Sequence, residues 1–63
     1  MKGFIEVKNV KTGKNVLIAV NAIVSVSPAL QSGNAYGFID TTKGCFITEE
    51  TYQQIVWLIE EAV

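Results

Sequence analysis

The stretch that decides the fold is Ile47-Thr48-Glu49-Glu50-Thr51-Tyr52-Gln53-Gln54-Ile55-Val56-Trp57-Leu58-Ile59-Glu60-Glu61-Ala62-Val63, where the apolar pattern changes its period. Upstream, apolar residues alternate or run together as in strands. Here they recur at the i, i+3, i+4, i+7 spacing of a helix. With Tyr52 at zero and about 100° per residue, Ile55, Val56, Ile59 and Val63 fall within about 60° of it, and Ala62 lies near the edge of that face. Thr48 is the expected N-cap, with Glu49 and Glu50 in a first turn where the helix dipole favours anions and Ile47 stapled onto Tyr52.

Working backwards, Cys45-Phe46-Ile47 reads as a short strand, preceded by the Gly-containing turn Thr42-Lys43-Gly44 and the strand Tyr36-Gly37-Phe38-Ile39-Asp40-Thr41. Gln31-Ser32-Gly33-Asn34 is the most polar stretch and reads as a mobile loop. Ile23-Val24-Ser25-Val26-Ser27 alternates as a strand that Pro28 is expected to end, because proline cannot donate to a ladder. Asn15 to Val20 is β-branched and apolar on both faces, the mark of a strand covered on both sides. Phe4 to Val10 places Ile5 and Val7 on one face with Glu6 and Lys8 on the other, and Gly13 supplies the positive φ of the hairpin between these two strands. The expectation is a single α+β domain over residues 1–63, mainly β. Five short antiparallel strands form a barrel-like sheet, and one C-terminal helix packs on it.

Composition narrows the rest. At 63 residues the chain allows one small domain; 49% of it is apolar and 17% charged, which excludes the disordered class. The apolar run Val16 to Val20 is far short of the roughly 20 residues a membrane span needs. The start, Met1-Lys2-Gly3-Phe4, carries one charge and no long apolar stretch, so no secretory signal is expected, and with a single Cys the expected location is the cytoplasm. A domain of this size buries only about 60% of the surface its unfolded chain exposes and usually needs a disulfide, a metal or an oligomer. With no His and one Cys, neither of the first two is available, so no metal and no cofactor is expected.

No catalytic constellation emerges either. The hydroxyls of Ser25, Ser27 and Ser32 have no His or placed Lys as base. Asp40 suits a strand end before a turn, the paired glutamates suit the ends of a helix, and Cys45 beside Phe46 reads as an inert core thiol. The glycines match no phosphate-cradling loop or dinucleotide fingerprint. The chain is therefore expected not to be an enzyme.

What stands out is surplus apolar surface. Trp57 and Leu58 fall off the helical face that a single sheet would cover, and Leu17 and Ala19 point away from Val16, Ile18 and Val20. Contiguous exposed apolar surface marks interfaces, so these four residues are the expected interface of a homo-oligomeric protein-interaction module. The charges are segregated as well. Residues 1–34 carry four Lys against one Glu, and residues 35–63 carry one Lys against five acids. The alternative reading is a small nucleic-acid-binding barrel using Lys8, Lys11 and Lys14 on the first hairpin, with Phe4 available for stacking. Against it stand a net charge of −1 and five positive charges that are all Lys, since Arg supplies most bidentate base and phosphate contacts.

The order Ile5-Glu6-Val7, Thr12-Gly13-Lys14, Val16 to Val26 with Asn21-Ala22 inside it, and then Phe38 to Glu49 leading into an apolar helix, resembles the FlbD-type small flagellar proteins. It is also similar to numerous uncharacterised small proteins of Bacteroides-type bacteria and their phages. The resemblance spans nearly the whole chain, with departures at the Gln31 to Asn34 loop and at Trp57-Leu58. It implies the same succession of strands and helix and transfers no site residues.

Overall fold

The structure, a computed structural model, describes residues 2–63; Met1, part of the start read as lacking an export signal, lies outside the described residues. Five strands and one helix follow in order: β1 (Phe4–Lys8), β2 (Asn15–Ala19), a 3-10 turn (Val20–Ala22), β3 (Ile23–Gln31), β4 (Asn34–Thr41), β5 (Gly44–Thr48) and α1 (Tyr52–Ala62). All strand pairs are antiparallel.

The barrel-like closure expected from sequence is not what the chain adopts. β1 and β2 form a two-stranded sheet, and β3, β4 and β5 form a three-stranded one in that order. Among the described residues the two are linked by the single bridge Asn9–Thr48 and the flanking bonds Val10 N–H to the Ile47 carbonyl (2.9 Å) and Glu49 N–H to the Lys8 carbonyl (2.9 Å). The reason is the connection after β2. The 3-10 turn carries the chain into the second sheet, where β3 pairs with β4 and leaves the outer edge of β2 open.

Between the two sheets and α1 lies the core: Ile5, Val7, Ile18, Ile39, Ile55 and Ala62, with Val16, Val20, Ile23, Val26, Phe46, Leu58 and Ile59 packed around them. β1 follows its alternation, with Ile5 and Val7 buried and Phe4, Glu6 and Lys8 exposed. In β2 the reading needs correcting. Ile18 is buried, yet Leu17 remains 52% exposed, so this strand is covered on one face only.

Three further expectations are corrected. Pro28 does not end the third strand, which runs on to Gln31. The register Gln31–Asn34 at the hairpin end makes Pro28–Gly37 a pair without ladder hydrogen bonds, so the proline nitrogen faces the free edge, where no donor is needed. Gln31 to Asn34 is not a loose loop. It closes a two-residue turn in which Ser32 (φ 54°) and Gly33 (φ 79°) both take positive φ, as a type I′ hairpin requires. Cys45 is exposed rather than buried, because it shares the outward face of the sheet with its cross-strand partner Asp40.

The helix begins later than expected. Thr51, not Thr48, is the N-cap: its hydroxyl accepts the Gln54 N–H (3.3 Å), and the Gln54 side-chain oxygen accepts the Thr51 N–H (2.9 Å). Glu49 and Glu50 therefore precede the helix. Thr48 is fully buried and has a different task, donating its hydroxyl to the Glu50 carbonyl at 3.0 Å. The buried helical face is centred near Ile55 and Ala62, about 70° round from Tyr52, so Leu58 joins the core while Tyr52 and Val63 are exposed.

Candidate functional site

The pairing of β1 with β2 can be read residue by residue. The Asn9 N–H donates to the Lys14 carbonyl (2.9 Å) at one end, and the Val20 N–H donates to the Gly3 carbonyl (2.9 Å) at the other. Those two bonds fix which pairs exchange ladder hydrogen bonds: Val7–Val16 and Ile5–Ile18 do, whereas Lys8–Asn15, Glu6–Leu17 and Phe4–Ala19 do not. Side chains alternate with the same period, so Phe4, Glu6, Leu17 and Ala19 share the outward face opposite the core.

Two open clefts adjoin this face. One, of about 360 Å³, is lined by Phe4, Glu6, Leu17, Leu58, Glu61 and Ala62. The other, of about 320 Å³, runs beside β2, between Val16, Leu17, Ile18 and Ala19 and the hairpin residues Thr41, Lys43 and Phe46, with Phe4 and Ala22 completing it. Phe4 (42% exposed) and Leu17 line both clefts and stand between carboxylates on one side and a lysine on the other.

Three of the four expected interface residues are thus brought together. Leu17 belongs to both clefts, Ala19 to the second and Leu58 to the first, where it is partly buried. Trp57, 59% exposed, lines neither cleft. It sits about 200° round the helix from Ile55, on the face of Gln53, Glu60 and Glu61. Phe4, expected to act with the lysines, lies instead with Leu17. The signal for this was in its parity, since Phe4 shares a face with Glu6 and lies across from Ala19.

The lysines of the alternative reading are placed differently. The Lys8 backbone N–H donates to the Glu50 carboxylate (3.0 Å), and its ammonium stands 3.9 Å from the Glu49 carboxylate, with both side chains half exposed. Lys11 and Lys14 sit on the β1–β2 loop, held by the Asn9 carboxamide oxygen accepting the Lys11 N–H (2.9 Å) and the Thr12 hydroxyl accepting the Lys14 N–H (3.3 Å). That loop and Phe4 are at opposite ends of β1, about 13 Å apart along the strand from Phe4 to Lys8 alone. Lys8, Lys11 and Lys14 line neither of the clefts that Phe4 borders.

Among the described residues, no group of three or more Cys, Asp or Glu side chains is placed to hold a metal ion. No helix is long and apolar enough to cross a membrane. Comparison with models of known protein families, with curated proteins and with solved structures finds no match.

Proposed function

We propose that this chain is a non-enzymatic protein-interaction module that assembles with copies of itself through the outward face of the β1–β2 hairpin. The observation that carries this reading is the position of Phe4 and Leu17. Both are large and apolar, both are exposed on one face, and both border two clefts. A small domain gains from covering such surface, at roughly 25 cal/mol for each Å² of apolar area removed from water. The rim charges suit a defined contact, with Glu6 and Glu61 on one flank and Lys43 on the other.

Light scattering of the purified chain at tens of micromolar tests the reading. A mass of at least two chains is expected, and Leu17→Glu, which puts a carboxylate at the centre of the face, should return it to a single chain. A monomer at that concentration would sink the proposal.

A further inference from the structure

Resting on that self-association reading, we infer how two copies meet: β2 pairs antiparallel with β2 of a second copy about Leu17, joining two two-stranded sheets into one of four strands. The edges of the fold differ in what protects them. β3 carries Pro28 on its outer edge and a register irregularity between Ile23 and Ser25, both of which discourage strand addition. On the outer side of β1, the Lys8 N–H and carbonyl are taken by Glu50 and Glu49. From Asn15 to Ile18, ahead of the 3-10 turn, β2 has no such device. Its five residues, Asn15-Val16-Leu17-Ile18-Ala19, include no proline and no charge, and an open cleft runs alongside.

The ladder parity then specifies the register. Val16 and Ile18 direct their N–H and C=O groups to β1, so those of Asn15, Leu17 and Ala19 point to the free edge. Among the described residues, no hydrogen bond reaches the backbone of Asn15 or Leu17 across that edge, while the Ala19 carbonyl, at the N-cap of the 3-10 turn, accepts that turn's first bond. A two-fold axis at Leu17 sets Leu17 opposite Leu17 of the second copy and Asn15 opposite its Ala19. The Leu17 N–H and carbonyl then meet those of the second copy and the Ala19 N–H meets the Asn15 carbonyl, while the Asn15 N–H shares the Ala19 carbonyl with the 3-10 turn; no charged residue is placed against a like charge. The pairing is isologous, the arrangement that closes as a dimer. It also removes the weakness of a two-stranded ribbon, which on its own is marginal.

The register can be trapped. In a Cys45→Ser background, Leu17→Cys should oxidise to a disulfide-linked dimer, because an opposed hydrogen-bonded pair holds its Cα atoms about 5.5 Å apart, within disulfide range. Asn15→Cys and Ala19→Cys should each stay unlinked alone, their own symmetry mates being about 13 Å away along the strand, and should cross-link when mixed. Of the backbone hydrogen-bonding groups Leu17→Pro removes only an outward N–H, and it should halve the mass by light scattering while keeping the circular dichroism of the parent. Three results would overturn the pairing: a dimer that survives Leu17→Pro, efficient linkage of Asn15→Cys to itself, or no linkage in the mixed pair. Each leaves the self-association reading standing, which fails instead if the unmodified chain is monomeric. Should Leu17→Pro not fold, the cross-linking pattern decides alone.

Discussion

Ile55 of α1 rests directly on the backbone of Gly37 in β4. A Cβ at position 37 would overlap the Ile55 Cδ1 atom, stand 2.6 Å from the Glu50 carbonyl oxygen and 3.2 Å from the Thr48 hydroxyl. Gly37 is buried and has no positive φ, so what requires glycine there is the closeness of helix to sheet and not the backbone conformation. Gly37→Ala should therefore destabilise the domain by about 2 kcal/mol, the usual scale for an overpacked core, and lower its melting temperature by roughly 10 °C. Ile55→Val removes the overlapping methyl. The double variant should thus lose less than the two single losses added together, as thermal unfolding of all four proteins would show.

Thr48 tests the same junction from the other side. Its hydroxyl is fully buried and donates to the Glu50 carbonyl at 3.0 Å, with the Gly37 carbonyl at 3.4 Å as a second acceptor. Thr48→Val keeps the shape and leaves the Glu50 carbonyl without this donor. A loss of about 1–3 kcal/mol is expected in urea unfolding. Thr48→Ser, which keeps the hydroxyl, should recover the part of that loss due to the hydrogen bond.

The helix start shows why part of the fold was legible and part was not. Both Thr48-x-x-Thr51 and Thr51-x-x-Gln54 offer a capping threonine, but only the second ends in a residue that can reach back to the cap. Favouring the acidic pair after Thr48 over that reciprocal box shifted the start by three residues. Separately, centring the apolar arc on Tyr52 placed it about 70° away from the buried face at Ile55 and Ala62. Strand count, antiparallel order and the C-terminal helix followed from local period and turn chemistry. Closure did not, since whether β2 meets β3 depends on where the 3-10 turn sends the chain. Leu17 and Ala19 were legible as outward residues from period alone. That Phe4 joins them needed the β1–β2 register. Thr51→Ala should cost about 1 kcal/mol and fray the first turn, measurable as lost helical circular dichroism and faster amide exchange near Gln54.

Ser32 sits at φ 54°, a conformation that non-glycine residues seldom adopt and that asparagine and glycine tolerate best. Replacing it with Asn gives the Asn-Gly pair that type I′ turns favour. Ser32→Asn should raise stability by about 0.5 kcal/mol in chemical unfolding, without any change in assembly. The opposite change, Ser32→Val, puts a β-branched residue at positive φ and should lower stability by more than that.

Trp57 separates one apolar surface from another. It is the single tryptophan of the chain, 59% exposed on the outer side of α1, and it borders neither cleft beside Phe4 and Leu17. If association proceeds through β2, diluting the assembly should leave the wavelength of its fluorescence emission unchanged. Trp57→Glu should then retain the parent's mass, whereas Leu17→Glu should not. A blue-shifted emission in the assembly, together with dissociation by Trp57→Glu, would move the interface to the helix and away from the β2 edge. Light scattering and fluorescence on the same samples distinguish the two surfaces, because a buried indole and an added carboxylate report on the same face of α1.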